Sequence, residues 1–113
     1  MTAGGRSTVL SMLGMARRAG AVVSGTDAVR AAVRESPVGF AILAEDASAT
    51  QRKKLEPLLE ARGVGFTIRY TRRELGAAVG RPPATAVLVT EAGLAGRIRE
   101  LLGASGNAEE TEL

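Results

Sequence analysis

Two residue types on which many enzymes and metalloproteins depend are missing from this sequence. It contains no cysteine and no histidine, which excludes disulfides, thiolate nucleophiles and thiolate or imidazole metal ligands. The usual general base near neutral pH is also missing, because that role most often falls to histidine. We therefore expect a protein that is not an enzyme and that needs no metal or other cofactor.

Aromatic residues and long apolar runs are scarce. Phe, Tyr and Trp together make up 3% of the residues, whereas the hydrophobic fraction is 45%. A core must therefore be built from Val, Leu, Ile and Ala, whose small side chains suit closely packed layers of helix and sheet. No apolar run approaches the roughly 20 residues that span a bilayer, and the first residues are too polar for a secretion signal. These features predict a cytoplasmic protein that does not bind a membrane.

Positive charge is in excess, and nearly all of it is arginine. Fifteen basic residues, thirteen of them arginine, face twelve acidic residues. Three of the acids are Glu109, Glu110 and Glu112; the nine others leave the body of the chain with a net charge of +6. Because the planar arginine fork suits phosphate, nucleic acid is one candidate partner. A basic but otherwise ordinary protein surface explains the charge equally well.

Cap residues and apolar spacing divide the chain into alternating helices and strands. Helices are predicted at residues 7–18, from 24–27 to about 35, from 48 onward, at 71–79 and at 90–102. Strands are predicted at residues 21–23, 40–44, 66–70 and 84–89. The predicted N-cap residues are Ser24, Ser48, Thr71 and Thr90. Pro57 lacks an N–H group and crowds the preceding turn, so the third helical region is expected to break into two short helices.

Strands separated by helices predict a sheet that is covered on both faces. The expected fold is therefore an α/β protein, a three-layer α/β/α sandwich with a small, mixed four-stranded sheet. The pattern leaves open which strands run parallel. One domain is predicted over residues 7–102, between a flexible N-terminus at 1–6 and a disordered acidic tail at 103–113.

Five short segments occur in an order and spacing that indicate a family. They are LGMARRAG at 13–20, SGT at 24–26, LAED at 43–46, LEPLL at 55–59 and ELGAAVG at 74–80. Together they resemble the kink-turn RNA-binding ribosomal-protein family, which contains the large-subunit proteins of the L-seven-Ae and L-thirty-e type. The similarity spans about residues 7–102 and points most strongly to the bacterial YlxQ-like branch. It implies the sandwich fold and a monomer that binds structured RNA, ribosomal or kink-turn-like, within a ribonucleoprotein or beside ribosomal proteins.

The resemblance also indicates where RNA would bind. The family uses the loop that enters its second helix and the loop before its last strand. The positions that correspond are Ser24, Gly25, Thr26 and Asp27 in the first loop, and Gly80, Arg81, Pro82, Pro83, Ala84 and Thr85 in the second. Amide groups at a helix start attract phosphate, and two prolines restrict the second loop. Arg17, Arg18 and Arg30 complete the predicted RNA surface, although Ser24 and Asp27 would also serve simply as helix caps.

Three positions depart from the stronger kink-turn binders of this family. Those proteins follow the glycine and threonine with asparagine, glutamate and, three positions later, lysine. Asp27, Ala28 and Ala31 stand at these positions. An ionised aspartate only accepts hydrogen bonds and repels phosphate, and the alanines remove an acceptor and a cation. One alternative therefore stays open: a protein-interaction module that keeps the fold and has lost kink-turn binding.

Overall fold

The computed structural model describes residues 6–103, which form five helices and four strands. The helices are α1 Arg6–Arg18, α2 Thr26–Glu35, α3 Ala49–Ala61, α4 Arg72–Ala78 and α5 Ala92–Leu102. The strands are β1 Val22–Ser24, β2 Phe40–Leu43, β3 Gly65–Ile68 and β4 Ala86–Val89. Within this part of the chain, none of the helices has the length and apolar character that crossing a membrane requires.

The four strands form one mixed sheet in the order β1-β4-β2-β3. Strand β4 runs antiparallel to both of its neighbours, whereas β2 and β3 are parallel. Phe40 lies opposite Val89 and Gly65, and Leu43 lies opposite Ala86. The sheet therefore has a Phe40 end, where β2 and β3 begin, and a Leu43 end, where β4 begins. The predicted mixed sheet is confirmed.

Helices cover both faces of the sheet, because successive side chains of a strand point to opposite sides. Phe40 and Ile42 of β2 pack in a core with buried residues of α1, α4 and α5. Ala41 and Leu43 of the same strand pack in a second core with α2 and α3. Each core is built almost entirely from aliphatic side chains, as the composition predicted. The three-layer α/β/α sandwich is thus confirmed.

Two of the four predicted N-caps, Ser48 and Thr71, are confirmed, and the other two, Ser24 and Thr90, are wrong. The Ser48 hydroxyl accepts a hydrogen bond from the Gln51 N–H at 3.1 Å, and Thr71 forms a capping box at the start of α4. Thr90 is not the cap of α5. Glu91 takes that position, and its carboxylate accepts from the Leu94 and Gly93 N–H groups at 2.7 and 3.1 Å. These two hydrogen bonds lower the pKa of Glu91 below its ordinary value.

The predicted break at Pro57 is wrong, because α3 continues through the proline. An interior proline usually costs about 3 kcal/mol, since its ring and missing N–H disturb the turn before it. Leu55 and Leu59 of α3 are buried in the core on either side of Pro57. The Arg30 guanidinium also donates to the Lys54 carbonyl at 2.8 Å, next to the Lys53 carbonyl that loses its helical donor at Pro57. Packing of the two leucines and this link to α2 hold the helix in place across the proline.

The remaining differences concern the ends of elements. Tyr70 was predicted in a strand, but β3 ends at Ile68, and Tyr70 takes a φ of 67° that places its ring in the core. Arg6 is already part of α1, and Gly103 directly follows α5. The rest of the two predicted tails, residues 1–5 and 104–113, lies outside the described residues.

Candidate functional site

Helix α2 begins without a side-chain cap. Its N-cap residue is Gly25, with a φ of 99°, and no side chain of residues 6–103 caps the first turn. The expected cap from Ser24 is wrong because Ser24 still belongs to β1, where it lies opposite Val87. The chain passes from strand to helix within one residue, and the positive φ at that residue favours glycine. The first amide groups of α2 consequently have no acceptor within the helix.

The loop between α4 and β4 covers residues 79–85 and is held by backbone contacts. The Arg81 N–H donates to the Gly76 carbonyl at 2.8 Å, and the Ala84 N–H donates to the Arg72 carbonyl at 3.0 Å. Gly76 is buried under this loop, and a Cβ atom there would lie 2.3 Å from the Pro82 carbonyl oxygen. The loop therefore folds closely over α4, and its prolines further restrict it.

These two segments meet at the Leu43 end of the sheet. The hydroxyl oxygens of Thr26 and Thr85 are 2.6 Å apart and form a hydrogen bond. The Gly25 N–H also donates to the Ala86 carbonyl at 2.9 Å. A shallow depression of about 300 Å³ lies between the segments. Its lining consists of Ser24, Gly25, Arg81, Pro82, Pro83, Ala84 and Thr85.

A second depression, of about 310 Å³, continues from the first along the open edge of β1. It is lined by Arg17, Val22, Val23, Ser24, Ala28, Val79 and Arg81. The Arg17 guanidinium lies against Gly80, where a Cβ atom would be 3.1 Å from its central carbon. The two depressions share Ser24 and Arg81, and within the described part of the chain no acidic residue lines either of them. We call them together the α2–loop surface.

Most of the residues predicted from the resemblance lie on or beside this surface. Asp27 is exposed on the first turn of α2. Arg18 and Arg30 are not among the lining residues. The Arg18 side chain lies near Gly14 on its own helix, with Nη1 3.7 Å from a Cβ placed there, and Arg30 donates to α3.

Sequence reasoning missed three residues that line the second depression, namely Val22, Val23 and Val79, and it named Ala28, which also lines it, only as a departure from the family. Their apolar character gave no functional signal, because it is equally typical of a core. Within residues 6–103, no group of three or more possible metal ligands comes together.

Residues 7–98 match the model of the Ribosomal protein L7Ae/L30e/S12e/Gadd45 family. The chain belongs to this family. The resemblance that the five sequence segments indicated is thereby confirmed, as is the sandwich fold that it implied.

Named relatives and solved structures agree with this membership. The RNA-binding protein YlxQ of Bacillus subtilis (strain 168) is 34% identical over 91 residues, which cover 80% of this chain and 91% of that protein. A Bacillus halodurans protein of unknown function has a similar structure, with a TM-score of 0.80 and 29% identity over 86% of this chain and 98% of its own. The Giardia lamblia 15.5kD RNA binding protein shares the fold, with a TM-score of 0.72, 20% identity and coverage of 87% and 85%.

Proposed function

We propose that this member of the family binds structured RNA, without catalysing a reaction, and that it does so through the α2–loop surface. The observation that carries the proposal is the direct hydrogen bond between Thr26 and Thr85. It joins the uncapped start of α2 to the proline loop, so that both segments face one partner. The similarity to YlxQ, which is named as an RNA-binding protein, supports the same class of partner.

The chemistry of the surface suits a sugar–phosphate backbone. Arg17 and Arg81 line one depression, and each guanidinium offers a fork of donors that fits a phosphate. The first amides of α2 provide further donors, and the helix dipole favours an anion at this position. Phosphate contacts of this kind fix the position of an RNA but do not read its bases.

Folded RNA fits this surface better than an unpaired strand. Proteins that bind single strands stack bases on aromatic side chains, and none of the described residues that line the α2–loop surface is aromatic. Ribosomal RNA or a kink turn, on the ribosome or with its proteins in the cytoplasm, is the partner we propose. Ala28 and Ala31 are both exposed, which favours recognition of RNA shape over recognition of base edges.

The departures from the family at Asp27, Ala28 and Ala31 favour one second candidate, a protein-interaction module without RNA binding. Filter binding of the full chain to fragmented total ribosomal RNA, repeated at several salt concentrations, separates the two functions. If RNA binds here, affinity falls steeply as salt rises, because each phosphate contact releases counterions. Absence of binding even at low salt would refute the RNA proposal and favour the interaction module.

Single arginine variants then locate the site. We expect Arg17→Ala and Arg81→Ala each to weaken binding about tenfold. Each should also reduce the slope of log affinity against log salt concentration by about one, the loss of a single phosphate contact. Arg97→Ala is the matched control, because Arg97 is an exposed arginine of α5 that lines neither depression. Equal effects of all three variants would show that only net charge matters and that the site lies elsewhere.

A further inference from the structure

A second surface, separate from the one proposed for RNA, surrounds Arg99 at the Phe40 end of the sheet. Two depressions of about 240 and 200 Å³ lie on either side of this side chain and share Arg99 and Phe40. We call them together the Arg99 groove. The residues that line it are Gly39, Phe40, Val64, Gly65, Phe66, Thr67, Ala92, Ala95, Gly96, Arg99, Leu102 and Gly103.

The Arg99 guanidinium, on an exposed residue, lies between two walls of the groove. Its central carbon lies 5.5 Å from the centroid of the Phe40 ring, a cation–π distance. On the other side it touches Gly65, where a Cβ atom would lie 2.9 Å from Nη1. Glycine at position 65 therefore makes room for the guanidinium. A side chain that is already ordered loses less entropy when a partner binds it.

The charge of Arg99 has no acceptor in the part of the chain that the structure describes. Only some of the other arginines have one: Arg62 donates to the Arg34 carbonyl at 2.8 Å, and Arg52 pairs with Glu56 at 2.9 Å. Among residues 6–103, no acidic residue lines the Arg99 groove. The groove therefore presents an oriented, unneutralised cation, and the complementary ligand is an anion.

The groove is open, and apart from Thr67 and Arg99 its residues are glycines or carry apolar side chains, so that most of its polar surface belongs to backbone and guanidinium atoms. Val38 stands beside Gly39 with half of its surface exposed, whereas the Phe66 side chain packs on the other face of the sheet, against the core of α2 and α3. Gly96 lies within α5, where glycine is a poor helix former, and a Cβ atom there would meet nothing within 4 Å. No packing in the described chain explains Gly96, and its small size leaves space for an approaching backbone.

We propose that the Arg99 groove binds a carboxylate-bearing peptide segment of a protein partner. A single arginine stacked on an aromatic ring is typical of protein interfaces, in which arginine is enriched, whereas nucleic acid is bound by several cations together. The groove lies at the opposite end of the strands from Thr26 and Thr85. RNA and a peptide would therefore be bound at the same time, and the proposal does not depend on the proposed function.

Selection of short random peptides displayed on phage, with the full chain as bait, provides the probe. We expect the selected peptides to be enriched in Asp and Glu. Synthetic copies should bind Arg99→Ala at least about tenfold more weakly, because a charge-assisted fork is lost. Arg97→Ala, on the same helix but outside the groove, should bind them as the wild type does. Gly96→Gln fills the groove without changing its charge and should cause a similar loss.

Several results would overturn the proposal. One is that no acidic peptides are enriched, and another is that the selected peptides bind Arg99→Ala and Gly96→Gln like the wild type. A fall in RNA affinity in Arg99→Ala would mean that the groove belongs to the RNA surface instead. If peptides bind only after Glu109, Glu110 and Glu112 are changed to Gln, the occupant is this chain's own acidic segment. Self-association that Gly96→Gln abolishes would identify a second copy as the occupant.

Discussion

Replacing Thr26 and Thr85 by valine, singly and together, tests whether their hydrogen bond organises the α2–loop surface. Valine keeps the branched shape of threonine but lacks the hydroxyl group. The bond is 2.6 Å long and partly buried, so its loss should cost about 0.5–1.5 kcal/mol of unfolding free energy. The Gly25 N–H still donates to the Ala86 carbonyl in each variant, so the fold should survive.

The loss of RNA binding free energy should be similar to the loss of stability, and the losses of the two single variants should not add up in the double variant. A loop that has lost its bond to α2 must be ordered again on binding, which should weaken RNA affinity about fivefold for 1 kcal/mol. Each single variant already breaks the bond, so the double variant should lose no more than either one. Urea unfolding and RNA titration of the four proteins form a double-mutant cycle.

The outcome that contradicts this reasoning is additivity. If the RNA affinity of the double variant falls by the sum of the two single losses, the hydroxyl groups act independently and do not position each other. Thr26→Ser and Thr85→Ser are the matched controls, because serine keeps the hydroxyl and should retain most of the affinity.

Other variants test the remaining features of the fold. Pro57→Ala should raise the urea midpoint by the equivalent of about 1–3 kcal/mol, because alanine restores a helical N–H; a lower midpoint would show that the proline is needed. Gly25→Ala should destabilise the protein by about 1–2 kcal/mol, because φ there is 99°. Gly96→Ala, inside α5, should stabilise it by about 0.5–1 kcal/mol. If both changes shifted the urea midpoint in the same direction, the backbone conformations of Gly25 and Gly96 would be contradicted. Glu91→Gln should lower stability at neutral pH. Because the pKa of Glu91 is lowered in the folded protein, its contribution is present above the ordinary glutamate pKa and should vanish as pH falls through the folded value. If the difference in unfolding free energy between the wild type and Glu91→Gln instead grew as the pH falls, this reasoning would be contradicted.

Local chemistry was enough to predict most helices and strands. Thr71 and Glu74 cap α4 as their spacing indicated, since a capping box involves only neighbouring residues. The apolar run at 40–44 contains β2, whose residues are all buried. The break predicted at Pro57 was wrong because the contacts that hold α3 together are not local: they come from α2 and the sheet.

The candidate site was predictable only in part. The family resemblance selected both loops, but residue spacing cannot show that Thr26 bonds to Thr85, 59 positions away. The same holds for Arg30, whose partner is the Lys54 carbonyl of another helix. Long side chains reach in several directions, and the packing of the helices decides among them.

The amino-acid order by itself determined the alternation of helices and strands, the aliphatic core and the family, because each depends on local pattern or on matched residues. Tertiary structure alone decided which strands are neighbours, that the start of α2 and the proline loop form one surface, and that Arg99 lies between Phe40 and Gly65. These features arise when the sheet closes, since its order β1-β4-β2-β3 brings together segments that are far apart along the chain.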